Sequence, residues 1–205
     1  MDWEAFHERH LYWISDADAR VVRYLSQPHK LEVFLNGRSR PLVYFPDLKR
    51  WLCDGTVEII ETKKSKDEVS KDPDYELKLK FAKEIYESER GWNFRILTAE
   101  DDIEVDPLFS NAKAIKRDAP TRIRSADKFR LLEALDEAGG QLPYADAIRV
   151  LNVGNVGGRQ AQAKLHAMIV MRLAFIDIYG EIGADTPVLR VDDLQAVLPV
   201  PHSAA

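Results

Sequence analysis

Two acids and a lysine carry the chemistry that this sequence suggests. Asp47 closes the apolar run Val43-Tyr44-Phe45-Pro46, and further along Glu58-Ile59-Ile60-Glu61-Thr62-Lys63 places Glu61 and Lys63 two residues apart. Side chains alternate faces along a strand, so Glu61 and Lys63 share one face while Ile60 and Thr62 share the other. The Asp54-Gly55 turn lets the two segments lie side by side, with Asp47 facing Glu61. Two carboxylates and a lysine in one pocket suit metal-assisted phosphodiester hydrolysis. Magnesium or manganese takes hard oxygen ligands and keeps several waters, so few carboxylates are needed to hold it. Once bound, the ion acidifies a water and stabilises charge on the departing oxygen. A neighbouring lysine positions that water or offsets charge on the phosphate. Without a cation, the paired carboxylates repel each other. The competing reading is an exposed Glu61–Lys63 pair on a strand surface, which contributes little to stability.

Positioning these groups requires a sheet. Residues 2–15 predict a helix, with Trp3, Phe6, His10 and Trp13 at three- and four-residue steps and Glu4 four residues before Glu8. Ala19–Leu25 reads as a second short helical stretch, ending before Gln27-Pro28. Strands are expected at Lys30–Leu35, Pro41–Phe45 and Thr56–Lys63, with Asn36-Gly37 as a hairpin turn between the first two. Lys64–Asp74 reads as an exposed loop. Leu77, Phe81, Ile85 and Tyr86 then form a helical stripe ended by Gly91, and Trp92–Thr98 forms a strand. A helix between strands implies a parallel crossover and hence a mixed α/β sheet. Glu58 and Lys64 fall on the opposite strand face from Glu61 and read as charges at the edge of the core.

The texture changes near Ala119-Pro120. Helices are expected at Lys128–Ala138, Tyr144–Leu151 and Gly158–Leu173, followed by a β-hairpin over Phe175–Val191, the pattern of a winged-helix domain. The domain boundaries read as 1–115 and 120–200. The chain has 205 residues, 45% of them apolar, and a net charge of −5, which excludes a protein that coats DNA by bulk attraction. Cys53 is the only cysteine, so an internal disulfide is excluded and a reducing, cytoplasmic setting is expected. No apolar run is long enough to span a membrane, and the first residues show no signal-peptide pattern.

The spaced Pro46-Asp47 and Glu61-Thr62-Lys63 resemble the signature of the PD-(D/E)xK nucleases. With Glu4-Ala5-Phe6-His7-Glu8-Arg9, Asp18 through Pro28, Tyr44-Phe45-Pro46-Asp47 and Phe94 through Glu100, the chain is similar to TnsA-type transposon endonucleases. The resemblance is better in the N-terminal half. It implies a restriction-endonuclease-like mixed sheet flanked by helices, followed by a small winged-helix domain. It also implies an enzyme that cuts the strand left intact by a DDE-type transposase, using Mg2+ or Mn2+. Asp47, Glu61 and Glu8 would then hold the metal and Lys63 would assist, with Glu4 the alternative helix acid. The family's helix motif often reads Glu-Ser-x-x-Glu, and Ala5 stands here where that serine would be. The implied partners are duplex DNA at transposon ends, a DDE-type transposase subunit and an ATPase regulator.

Gln27 is a candidate support for the pocket, through a side-chain amide that can bridge an acid and a backbone group, or else a turn residue before Pro28. Lys113, Lys116, Arg117, Arg122 and Arg124 form a basic linker suited to DNA phosphates. His7 and His10 read as ordinary helix residues, and Trp3, Trp13, Trp51 and Trp92 as core or interface. Gly158–Leu173 offers only Arg159, Lys164 and Arg172 as a recognition helix, so protein docking competes with groove reading. Two rival functions remain: another PD-(D/E)xK nuclease, acting in repair, restriction or phage DNA processing, and a non-catalytic DNA-binding or assembly protein.

Overall fold

The Asp54-Gly55 turn decides how the sheet is laid out. Gly55 takes a φ of 87°, a left-handed conformation open to glycine. Its N–H bonds the Leu52 carbonyl at 3.0 Å, and the Leu52 N–H bonds the Thr56 carbonyl at 2.8 Å. The chain thereby folds back on itself, pairing β4 (Leu48–Leu52) antiparallel with β5 (Val57–Lys63). The computed structural model describes residues 6–35, 37, 39–70, 72–154 and 157–191. These form two compact units: Met1–Ser15 with Val21–Phe109, and Asp16–Arg20 with Ser110–Ala205.

In the first unit, α1 (Phe6–Ala17) leads to β1 (Val21–Ser26), the small antiparallel pair β2 (Leu31–Val33) and β3 (Leu42–Tyr44), and then β4 and β5. The short α2 (Asp67–Ser70) and α3 (Pro73–Glu84) follow, with a π-helical turn at Ile85–Glu89, and β6 (Asn93–Thr98) completes the sheet. The strand order is β1-β4-β5-β6. β6 runs parallel to β5 after the α3 crossover, as a mixed α/β sheet requires. Residues Glu58–Thr62 of β5 are all buried, which marks it as the central strand.

The two sheet faces have different fillings. Ile59 packs with Tyr44, Leu79, Ala82, Tyr86 and Phe94 beneath α3. On the opposite face, Tyr12 of α1 stacks on Tyr24 at 5.8 Å. Beside it lies a buried charge cluster, in which Arg50 donates to Glu58 at 2.6 and 3.0 Å and Arg95 at 3.3 Å.

Several expectations are corrected here. Ala19–Leu25 is not helical, because Val21 and Val22, with Tyr24, favour the extended chain that becomes β1. β4 was not anticipated, since the alternation in Leu48-Lys49-Arg50-Trp51-Leu52 hides behind charged residues. Glu58 lies in the core rather than at its edge. Leu79 and Ala82 of α3 and Tyr86 of the following π-helical turn enter the core, whereas Leu77 and Phe81 are only partly buried. Asn36 lies outside the described residues; β2 and β3 are joined by the longer segment 34–41 rather than a two-residue turn. The expected loop at Lys64–Asp74 contains α2 and the first turn of α3.

The second unit contains α4 (Leu108–Asp118) from Ser110 onward, α5 (Ser125–Glu137), β7 (Gln141–Pro143), α6 (Tyr144–Leu151), α7 (Gly158–Val170), β8 (Ala174–Phe175) and β9 (Pro187–Arg190). Its antiparallel sheet has the order β7-β9-β8. The expected hairpin is thus two short strands separated by a long connection. The basic linker is largely a helix, α4. Asp118 at its end accepts hydrogen bonds from Arg159 and pairs with the buried His166 ring, whose other nitrogen meets the Tyr144 hydroxyl at 2.7 Å. Asp16–Arg20 joins this unit because Lys116 pairs with Asp16 at 2.6 Å and Arg172 donates to the Asp16 carbonyl at 2.7 Å.

The Glu58 cluster yields a stability prediction. Burial is the largest influence on the Glu58 carboxyl and pushes it up, but Arg50 and Arg95 outweigh burial and hold it below the usual range. Glu58→Gln leaves Arg50 buried without a counter-charge, and urea unfolding should show a loss of about 3 kcal/mol or more. Lys66→Gln breaks a pair whose side chains are 80% and 55% exposed and should change nothing measurable. Equal effects from the two would contradict the assignment.

Candidate active site

β4 and β5 deliver the two acids to one place. Leu48 is registered opposite Ile60, so Asp47, just before β4, reaches the level of Glu61. Asp47 Oδ2 accepts from the Thr62 backbone N–H at 2.7 Å and from its hydroxyl at 2.8 Å. Its other carboxylate oxygen has no hydrogen-bond partner among the described residues. The Gln27 N–H bonds the Asp47 carbonyl at 3.0 Å, with Gln27 at a left-handed φ of 42°. Gln27 therefore supports the acid through its main chain rather than its side-chain amide.

Glu61 is only 3% exposed, which removes the surface-pair reading. One oxygen accepts from the Tyr44 hydroxyl at 2.9 Å; the other accepts from Lys63 Nζ at 2.7 Å and from the Tyr75 hydroxyl. Both tyrosines are pushed above their ordinary range by burial and then by Glu61, so they stay protonated and donate. Lys63 lies over the Tyr75 ring at 4.8 Å, which keeps its ammonium at the pocket wall.

Asp47, Glu61, Lys63, Tyr44, Tyr75 and Glu8 line one cleft of about 400 Å³, with His7 beside them. A larger depression of about 630 Å³ lies over Leu77, Lys80 and Ile96 but gathers no carboxylate pair. Burial first, and then Glu61, raise the Asp47 carboxyl from 3.8 to about 6, although Thr62 and Lys63 pull the other way. That rise reports burial first, and then a neighbouring negative charge that one lysine does not offset.

The donor chemistry fits a hard divalent ion: a buried carboxylate and a half-buried one, the latter with an oxygen left by its neighbours, and an electrostatic penalty that a cation would remove. Among the described residues no three His, Cys, Asp or Glu side chains gather closely enough to hold a metal. The ligands on offer are therefore Asp47 and Glu61, with Glu8 lining the same cleft. Glu4 lies outside the described residues. Of the linker cations, Lys116 is held by Asp16 and Arg117 lies 3.5 Å from Asp118, while Lys113, Arg122 and Arg124 are exposed. All five belong to the second unit.

Sequence reasoning missed Tyr44, Tyr75, Thr62 and His7. Tyr44 stood within the apolar run before Asp47, but it lies on β3, in a different sheet from the acids, and no local spacing points it at Glu61. Tyr75 reaches Glu61 only because α3 crosses the sheet there, which no local spacing reveals. His7 is lowered by burial and then by Lys63, so it meets the cleft as a neutral imidazole.

The mixed α/β architecture and the paired acids are those of a nuclease-like domain. Among protein families, residues 18–99 match the one described as TnsA-like endonuclease N terminal. The match begins just after α1 and ends just past β6, enclosing Asp47, Glu61 and Lys63, and it supports a TnsA-type nuclease. No curated protein matches the chain.

The Asp47 carboxyl predicts a pH-dependent stability. Its folded value lies above its unfolded one, so the folded state holds the proton more tightly, and stability is lost as pH rises from about 4 to about 6. At neutral pH the metal-free protein with Asp47→Asn should melt several degrees above wild type, a gain on the order of 2 kcal/mol. The difference should vanish near pH 4. A variant that melts lower at every pH would make Asp47 structural.

Proposed function

We propose that this protein is a metal-dependent DNA endonuclease that works with a DDE-type transposase, cutting the transposon-end strand which that enzyme leaves intact. The observation that carries the reading is the desolvated Asp47–Glu61 pair beside Lys63, within the segment similar to TnsA-like endonucleases. Asp47 and Glu61 would hold Mg2+ or Mn2+, with Glu8 the candidate third acid. The ion, when bound, supplies an acidified water and offsets charge on the phosphate. Lys63 orients that water or stabilises the reacting phosphate, and the Tyr44 and Tyr75 hydroxyls hold the Glu61 carboxylate in place. Asp47 deprotonates near pH 6, so the site is ready at cellular pH.

From α5 onward, the second unit's order of helix, strand, helix, helix, strand, strand, with β9 between β7 and β8, supports a winged-helix reading. Its α7 cations are engaged internally: Arg159 with Asp118, and Lys164 with Asp127 at 2.8 Å. Arg172, just beyond α7, bonds the Asp16 and Val170 carbonyls. That engagement favours docking onto the transposase or an ATPase regulator over reading a DNA groove. Arg122 and Arg124 remain candidates for phosphate contact. We place the activity in the cytoplasm.

The test is nicking of supercoiled plasmid with Mg2+ or Mn2+, with and without a DDE-type transposase subunit. Wild type should cut, most strongly with the transposase. Asp47→Ala and Glu61→Ala should lower the rate by at least about a hundredfold, and Lys63→Ala should slow cutting while metal binding persists. Undiminished cutting by Asp47→Ala, or none by wild type with transposase and metal, would remove the nuclease reading.

A further inference from the structure

The sheet face that bears Glu61 continues, away from the cleft, into a row of cations laid against indole rings. Lys49 Nζ lies 3.4 Å from the centre of the Trp92 ring and 4.7 Å from that of Trp51. The Arg23 guanidinium sits 4.1 Å over Trp51, and that of Arg90 lies 6.0 Å from Trp92. Arg23 is registered opposite Trp51, and Lys49 opposite Ile59, so these residues share the face of Ile59 and Glu61.

Among the described residues, no carboxylate pairs with Arg23, Lys49 or Arg90. The chain as a whole carries 34 acids to 29 bases. Arg50, Arg20 and Lys164, by contrast, are held by Glu58, Asp18 and Asp127. Burial first, and then Arg23 and Arg90, hold the Lys49 ammonium below its ordinary range, as expected of crowded positive charge with nothing opposing it.

The arrangement selects an anion and not a nucleobase. The cations already occupy the indole faces, so the rings are taken as stacking platforms. A guanidinium stacked by its plane still presents its N–H edge, the geometry that grips phosphate oxygens. Spacing along β4 fits a nucleic-acid backbone. Lys49 is two residues and Trp51 four residues beyond Asp47, or about 7 and 13 Å at the usual strand rise. A duplex advances about 3.4 Å per nucleotide on each strand, so the row spans about four nucleotides from the acids.

We propose that Arg23, Lys49 and Arg90, seated on Trp51 and Trp92, form a phosphate-binding rail that holds the DNA duplex backbone to one side of the cut. The inference rests on the DNA-cleaving reading above and assigns part of the substrate's path across the first unit. Contact through the rail is independent of sequence and weakens with salt.

The experiment measures binding of the full chain to a fluorescein-labelled random-sequence duplex, by fluorescence polarisation in EDTA across a salt series, alongside plasmid nicking. Each phosphate contact contributes about 0.9 to the slope of log affinity against log salt. Arg23→Gln/Arg90→Gln alters two exposed side chains and should lower that slope by about two. Arg23→Lys/Arg90→Lys should restore most of it, which a merely structural role would not predict. Should the double variant unfold, each single glutamine variant should lower the slope by about one. A wild type that binds with these slope changes but never nicks, even with metal and a DDE-type transposase subunit added, supports the rail and removes the nuclease reading. A wild type that nicks while the glutamine variants keep its slope and affinity overturns the rail alone. No binding by wild type at low salt also overturns the rail.

Discussion

The mutual repulsion of a buried and a half-buried carboxylate is the constraint around which the first unit is organised. Asp47 and Glu61 are brought to one level by the β4–β5 register and then shielded from water by α3 and β3. Glu61 receives two tyrosine hydroxyls and a lysine, while Asp47 receives one threonine and is left with a carboxyl raised to about 6. A fold that served stability alone would gain by removing one of these charges. Their placement next to a lysine, in a cleft, is what the proposed cation-binding role would account for.

The contrast with the opposite sheet face strengthens this reading. Glu58 is as deeply buried as Glu61, yet Arg50 and Arg95 surround it and bring its carboxyl below the usual range. One strand thus carries a neutralised acid on one face and an under-compensated pair on the other. Charge is balanced where it holds the sheet together and left unbalanced where a ligand would complete it. The cationic row at Arg23, Lys49 and Arg90 shows the opposite imbalance on the active face.

Much of this was legible from residue order. Glu61 and Lys63 could be placed on one face by parity alone, and Asp47 opposite them by the turn at Gly55. The helix between β5 and β6 implied their parallel pairing. What stayed hidden depended on tertiary contact. Val21–Ser26 reads locally as either helix or strand, and only pairing with β4 settles it. Lys49 and Arg50 disguised β4 because charges are unexpected in a central strand, and only the folded sheet sets Lys49 against Trp51 and Trp92 and Arg50 against Glu58. Tyr75 comes to Glu61 by way of a crossover whose path the sequence does not specify. In the second unit the helices were evident from periodicity, but the tie of Asp118 to Arg159 and His166 joins elements some 40 residues apart.

Calorimetric titration of the full chain with Mn2+ tests the central claim most directly. Wild type should bind near neutral pH, and affinity should fall about tenfold at one pH unit below the Asp47 value, where the ion must displace that proton. Asp47→Asn and Glu61→Gln should each abolish the heat. Binding that is identical in Asp47→Asn and insensitive to pH, or no binding by wild type, would contradict the account.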